Sequence, residues 1–187
     1  MLFRSNAHTL VQMATDASGF AIMGVGATIV IISGGIDLSV GSAYALAGVT
    51  MAMLLRAAGT MGTVPTFALG LAACVGIAVL CGLVNGAMVV GLGVHPFIIT
   101  LGTMWMLRGI AFVMSRAESV LVPSSLTGFA KASLGLGAAL YPVPLLLMLG
   151  VAAAGSAFLS RTVRGRQIFA IGGNAEASRY AGLPRSE

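Results

Sequence analysis

Between Asp16 and Glu118 only one acidic residue interrupts the chain, Asp37, and the basic residues of that interval are Arg56, Arg108 and Arg116. The stretches between these charges are apolar runs of the length that crosses a bilayer as helix, about 20 residues. Backbone in lipid finds no water to bond, so such runs must be helical and pack side by side. Charged residues make up 8% of the chain, a third of the roughly 25% usual in soluble domains. The expected fold is all-α, a polytopic transmembrane helical bundle of about five spans. The 26 glycines fit that reading, because small residues let membrane helices approach where lipid supplies no hydrophobic drive between them.

The chain is organised around the stretch Ser-Gly-Gly-Ile-Asp-Leu-Ser-Val-Gly-Ser, Ser33 to Ser42. It joins an apolar run from Phe20 to Ile32 to a second from Gly41 to Leu55. A carboxylate here sits either at a membrane surface or in a polar cavity of the bundle, since lipid charges several kcal/mol for it. Gly34 and Gly35 let the backbone break, and Asp37 with Ser39 is expected to cap the next helix. The first run is short for a span, so it starts near Ala14 or the elbow dips into the membrane.

On the second run Gly41, Ala45 and Gly48 share a face, which predicts a close helix contact. Arg56 to Pro65 reads as a Gly/Thr-rich turn. Thr66 to Val90 is the third span, with Ala78, Gly82 and Gly86 as a small-residue ladder and Asn85 beside it as interhelical glue or solute contact. Gly91 to Pro96 is a second elbow, with His95-Pro96 opening the next helix. Phe97 to Ser115 is the fourth span, where Thr100, Thr103 and Arg108 fall close to one face. Arg108 must snorkel to an interface or hold a fixed partner. Arg116 to Tyr141 is a polar linker with a short surface helix around Leu126 to Ala132, and Pro142 to Leu159 is the fifth span.

Cys74 and Cys81 lie seven residues, about 10 Å, apart on one helix, too far for a mutual disulfide. Neither has His or Cys neighbours at metal-ligand spacing, so both read as packing residues and no metal site is expected. The formal charge of +5 comes mostly from the last few dozen residues. Its arginines are not interleaved with aromatics as in single-strand binders, so nucleic acid is not an expected partner. Arg161, Arg164, Arg166, Arg179 and Arg185 place 161–187 in the cytoplasm by the positive-inside rule. Counting back puts both elbows inside and Met1 outside, which an additional span before Met1 would resolve. The expectation is a fragment of a longer protein.

Three stretches together resemble the permease subunit of ribose- and xylose-type ATP-binding-cassette (ABC) sugar importers. They are Ser33 to Ser42, then His-Pro-Phe-Ile-Ile-Thr-Leu-Gly-Thr-Met followed by Arg-Gly within His95 to Gly109, and Gly-Arg-Gln-Ile-Phe-Ala-Ile-Gly-Gly-Asn-Ala-Glu-Ala-Ser-Arg-Tyr-Ala-Gly-Leu, Gly165 to Leu183. The resemblance covers nearly the whole chain, 1–187 as one partial permease domain without the family's leading span and second half. It implies partners: a second permease copy, an ABC ATPase subunit, a periplasmic sugar-binding protein and the lipid bilayer of a bacterial inner membrane. No cofactor is implied in this chain, ATP and Mg being held by the ATPase.

The third stretch resembles the family's cytoplasmic coupling loop, here 161–187, with Gly172, Gly173, Asn174, Glu176, Ala177 and Gly182 as coupling residues. Ile168 to Gly173 is expected to form a tight turn, and Asn174 to cap a helix over Ala175 to Ala181. Glu176 lies in that helix's first turn, where the dipole favours an anion. Gly182 and Pro184 stop it. Candidate pathway residues for a neutral polyol are Asp37, Ser39, Asn85, Thr100 and Arg108.

An ion-coupled secondary transporter of a small polar solute is the alternative, although such carriers usually show intramembrane carboxylates or histidines and Asp37 is nearly alone. An embedded enzyme would need paired acids, a metal cluster or an activated nucleophile, and none is apparent. Gly172-Gly173 is no phosphate loop, because no Gly-Lys-Ser/Thr follows.

Overall fold

The computed structural model describes residues 7–59, 61–122 and 142–182. Among them the chain is helical, with no strand: α1 (Ala7–Ile32), α2 (Val40–Ala58), α3 (Thr63–Leu92), α4 (Pro96–Ser115), α5 (Pro142–Arg161), α6 (Val163–Gly173) and α7 (Ala175–Tyr180). The first five contain stretches of 21, 19, 30, 20 and 19 residues long and apolar enough to cross a membrane. Among the described residues the fold is all-α, with five helices long and apolar enough to span, as expected. The short surface helix expected around 126–132 lies outside the described residues.

Helices run further than the apolar runs alone indicate. α1 continues back through the mixed segment to Ala7, so the first span reaches its length by starting early. α2 runs on to Ala58 and α3 starts at Thr63, both inside the expected turn, and α3 extends to Leu92 before Gly93, at φ +62°, ends it. At the start of α4, Pro96 takes the first turn and His95 caps it, its Nδ1 accepting the Phe97 N–H at 3.3 Å. These extensions follow from lipid, where a helix that already satisfies its own backbone is cheaper to prolong than to break.

Two groups of helices form. α2, α3 and α4 pack pairwise around Leu46, Cys81 and Ala111, with Ala43, Val49, Ile77, Leu107 and Met114 against them. α1 packs on α5, and α6 packs on both, while α1 touches α2 only lightly beside the elbow. The face of α3 that meets α2 runs through Gly70, Cys74, Cys81 and Asn85. A Cβ at Gly70 would lie 3.4 Å from Met51, and the Cys74 thiol sits 3.6 Å from the Met51 sulfur. Both cysteines are free and pack as small side chains.

The small-residue faces are corrected. Gly41, Gly48, Gly82 and Gly86 have no neighbouring atom within 4 Å of where a Cβ would stand, among the described residues. The contacts instead use Ser42, Leu46, Ala52 and Leu55 on α2. A helix apolar all round gives no periodic signal for its buried side.

The tight turn expected over Ile168 to Gly173 is also overturned, because those residues are the second half of α6. The break falls one residue later, at Asn174, which has extended backbone (φ −155°, ψ 98°). Its Oδ1 accepts the Ala177 N–H at 2.8 Å and caps α7 as expected. α7 ends at Tyr180, and Gly182 follows two residues on at φ +75°; Pro184 lies outside the described residues.

Candidate functional site

The Ser33–Ser42 elbow begins with a Schellman ending to α1. Gly35 N–H donates to Val30 O and Gly34 N–H to Ile31 O, each at 3.0 Å. That pattern needs a left-handed residue after the helix, which Gly34 supplies at φ +86°. Gly35 is crowded too, since a Cβ there would stand 3.2 Å from Val30 Cγ1. The chain then runs without regular secondary structure from Gly35 to Ser39 before α2 begins at Val40.

Within the elbow Asp37 Oδ1 accepts the Ser39 N–H at 2.8 Å and the Ser39 hydroxyl at 2.7 Å, an Asx turn. Ser39 is 2% exposed, and its oxygen accepts from Asn85 Nδ2 at 2.7 Å. The Thr100 hydroxyl, at the start of the second turn of α4, donates to Ile36 O at 3.2 Å. Two sets of polar contacts therefore tie the elbow, one to α3 through Ser39 and Asn85 and one to α4 through the Ile36 carbonyl and Thr100. Each buried member has a partner, which is what burial of polar atoms in an apolar bundle requires.

Four of the five candidate pathway residues, Asp37, Ser39, Asn85 and Thr100, thus come together, and Arg108 does not. At 100° per residue Arg108 lies about 80° round α4 from Thr100 and about 140° from Thr103. Both threonines are buried, whereas Arg108 is exposed with no ion pair among the described residues. Its bland reading, a snorkelling side chain, fits that position. The cap expected of Asp37 and Ser39 is corrected as well. Ser39 stands at the N-cap of α2 but in helical backbone (φ −80°, ψ −14°) instead of the extended backbone a capping side chain uses, and its hydroxyl makes no capping bond.

Two residues outside the candidate set belong to the same region. Thr103 is buried, its hydroxyl on Thr100 O at 3.2 Å. Ser42, one turn beyond Ser39 on α2, is 1% exposed and its hydroxyl has no partner among the described residues. The signal for it was present, since Ser42 closes the motif that carries Asp37. A separate cavity of about 350 Å³ lies between α1, α5 and α6, lined by residues including Val25, Thr28, Gly155 and Phe169. None of the candidate pathway residues lines it.

The elbow stands at the same end of the bundle as the segment after α5. Gly172, in the last turn of α6, lies against Ile32 and Ser33. Asn85 near the end of α3 and Thr100 at the start of α4 belong to that end too. Gly173, Asn174, Glu176, Ala177 and Gly182 are all exposed there, on or beside α7. No group of His, Cys, Asp and Glu suited to a metal ion occurs among the described residues. The arrangement offers hydroxyl, amide and carboxylate groups for hydrogen bonding.

Replacing Asn85 with leucine is expected to remove one donor to Ser39 and lower stability by about 1 kcal/mol, the usual scale of an interhelical bond in membranes. Thermal inactivation of the purified parent protein in mild detergent measures this. A midpoint equal to the parent's shows the bond to be neutral.

The chain matches the family described as branched-chain amino acid transport system / permease component over residues 9–186. The autoinducer 2 import system permease protein LsrD of Yersinia enterocolitica is 33% identical over 184 residues, 95% of this chain and 53% of that protein. The D-allose transport system permease protein AlsC of Escherichia coli K12 is 35% identical over 178 residues, 94% of this chain and 52% of that protein. The chain spans about half the length of the curated relatives it matches. No solved structure matches it.

Proposed function

Since this chain belongs to the branched-chain amino acid transport system / permease component family, we propose that it forms part of the pathway of an ATP-driven importer for a monosaccharide. It is a multi-pass membrane protein, with five helices long and apolar enough to cross. The solute class follows the names of the relatives, D-allose and autoinducer 2, and a ribose- or xylose-like sugar is the specific expectation. Hydroxyl and amide groups suit a neutral polyol, which asks for hydrogen bonds and no fixed counter-charge.

The observation that carries the reading is the Asp37–Ser39–Asn85 group at the end of the bundle where α6 and α7 gather. The pathway end of the elbow and the proposed coupling segment are then one neighbourhood, in the cytoplasm by the arginines of 161–187. α7 would dock on a separate ABC ATPase that holds ATP and Mg, through Asn174, Glu176 and Ala177. A periplasmic sugar-binding protein would deliver the solute at the far end, and a second permease copy would complete the membrane unit. The chain itself performs no chemistry on the solute; its relatives are transport permeases.

The test is a cysteine at Ala177 in the full-length permease, with Cys74 and Cys81 replaced by alanine, in membranes that contain the partner ATPase. A specific crosslink whose yield changes with ATP is the expected result. Solute uptake that continues without a crosslink, survives ATP depletion and collapses with an uncoupler supports the ion-coupled carrier instead.

A further inference from the structure

We propose that Gly172 is a positioning residue: it seats α6 on the carbonyl end of α1 and so makes the elbow's conformation follow α6 and α7. The proposal rests on the importer reading and has Gly172, itself exposed, act through its contact with the end of α1 rather than through the ATPase.

The Schellman ending leaves one carbonyl of α1's last turn over. Ser33 N–H serves Ile29 O, and Gly35 and Gly34 serve Val30 and Ile31. Ile32 O receives no backbone donor among the described residues. Gly172 lies against that oxygen. A Cβ built on Gly172 would fall onto Ile32 O, 2.8 Å from the Ile32 carbonyl carbon and 3.3 Å from that of Ser33. The group facing the oxygen is therefore a glycine Cα–H, the weak donor found at close helix–helix contacts. From the other side, a Cβ on Gly34 would stand 4.0 Å from Gly172 Cα.

Both surfaces are main chain, so no side-chain rotamer stands between them to absorb a displacement. What moves the end of α6 must move Ile32 to Gly34 or break the contact. Ile36, whose carbonyl holds Thr100, and Asp37, which holds Ser39, follow within five residues of Ile32. At its other side α6 is hinged to α7 at Asn174, whose N–H still bonds Ala170 O at 3.0 Å. A path of backbone contacts thus runs from α7 through Gly172 to the polar contacts that tie the elbow to α3 and α4.

The experiment uses the full-length permease assembled with its ATPase in vesicles. Gly172→Ala is expected to reduce uptake by about tenfold, within the range of residue-level coupling, while the ATPase stays bound and still hydrolyses ATP. Uptake within about twofold of the parent overturns the proposal. So does loss of the ATPase from the complex, which would make Gly172 a docking residue. A second measurement leaves Gly172 in place: cysteines at Ser33 and Gly173, with Cys74 and Cys81 replaced by alanine, joined by a short bismaleimide. Crosslinking whose rate changes on adding ATP supports the strut. Absent crosslinking, or a rate indifferent to ATP in vesicles whose uptake needs ATP, overturns it. Parent uptake that needs no ATP overturns the importer reading itself.

Discussion

Alanine at Asp37 is expected to lower the stability of the permease by about 3 kcal/mol, because it strands two donors at once, each costing roughly 1–3 kcal/mol when buried. The Ser39 N–H and hydroxyl both rely on Asp37 Oδ1. Ser39 is 2% exposed, so water is a poor substitute there. The loss spreads, since Ser39 is also the acceptor for Asn85. Asparagine at the same position keeps an Oδ1 in place and removes only the charge, so a drop below about 1 kcal/mol is expected for it, the size of one neutral hydrogen bond. Thermal inactivation of the two variants in lipid nanodiscs gives the comparison. Equal losses for both would mean that the charge, and not the Asx turn, stabilises the elbow. Solute uptake by the asparagine variant of the full-length permease is the companion measurement: undiminished transport removes any role for the charge in the pathway.

Gly165→Ala is expected to be at least as severe, about 3 kcal/mol or more, at the upper end of overpacking costs. A Cβ at Gly165 would meet the carbonyl oxygens of Phe158 and Leu159 and stand 2.6 Å from Leu159 Cα. Every one of those atoms is main chain, so relief requires α6 to swing away from α5. Thr162 holds the joint closed, its hydroxyl donating to Phe158 O at 2.7 Å and accepting the Gly165 N–H at 2.9 Å. The expected outcome is loss of the Ser33–Gly173 crosslink together with loss of uptake. Gly150→Ala, on α5 where no atom lies within 4 Å of the added carbon among the described residues, is expected to keep both. Retained crosslinking in Gly165→Ala would show that the joint relaxes without releasing α6.

Much of the elbow and the capping of α7 was legible residue by residue. Gly34 in a left-handed ending and Asn174 as a cap are decided by φ, ψ and short-range bonds. The same local reasoning failed at the start of α2. Ser39 has the chemistry of a cap, yet it stands in helical backbone and its hydroxyl bonds Asp37 two residues before it and Asn85 on another helix. It also failed over Ile168 to Gly173, where a Gly-Gly pair reads as a turn and the structure closes a helix through it.

By itself the sequence determined that the chain is a bundle of membrane helices, how many apolar helices it has and where the polar elbows fall. Those follow from the cost of exposing backbone and charge to lipid, which each segment meets on its own. Only the tertiary structure decided which faces touch. In lipid a helix is apolar toward its neighbours and toward its surroundings alike, so no hydrophobic stripe marks the buried side. That is why the ladder of Ala78, Gly82 and Gly86 turned outward, and why Asn85 found Ser39. It is also why Gly172, at the end of α6, came to rest on the carbonyl of Ile32 in α1.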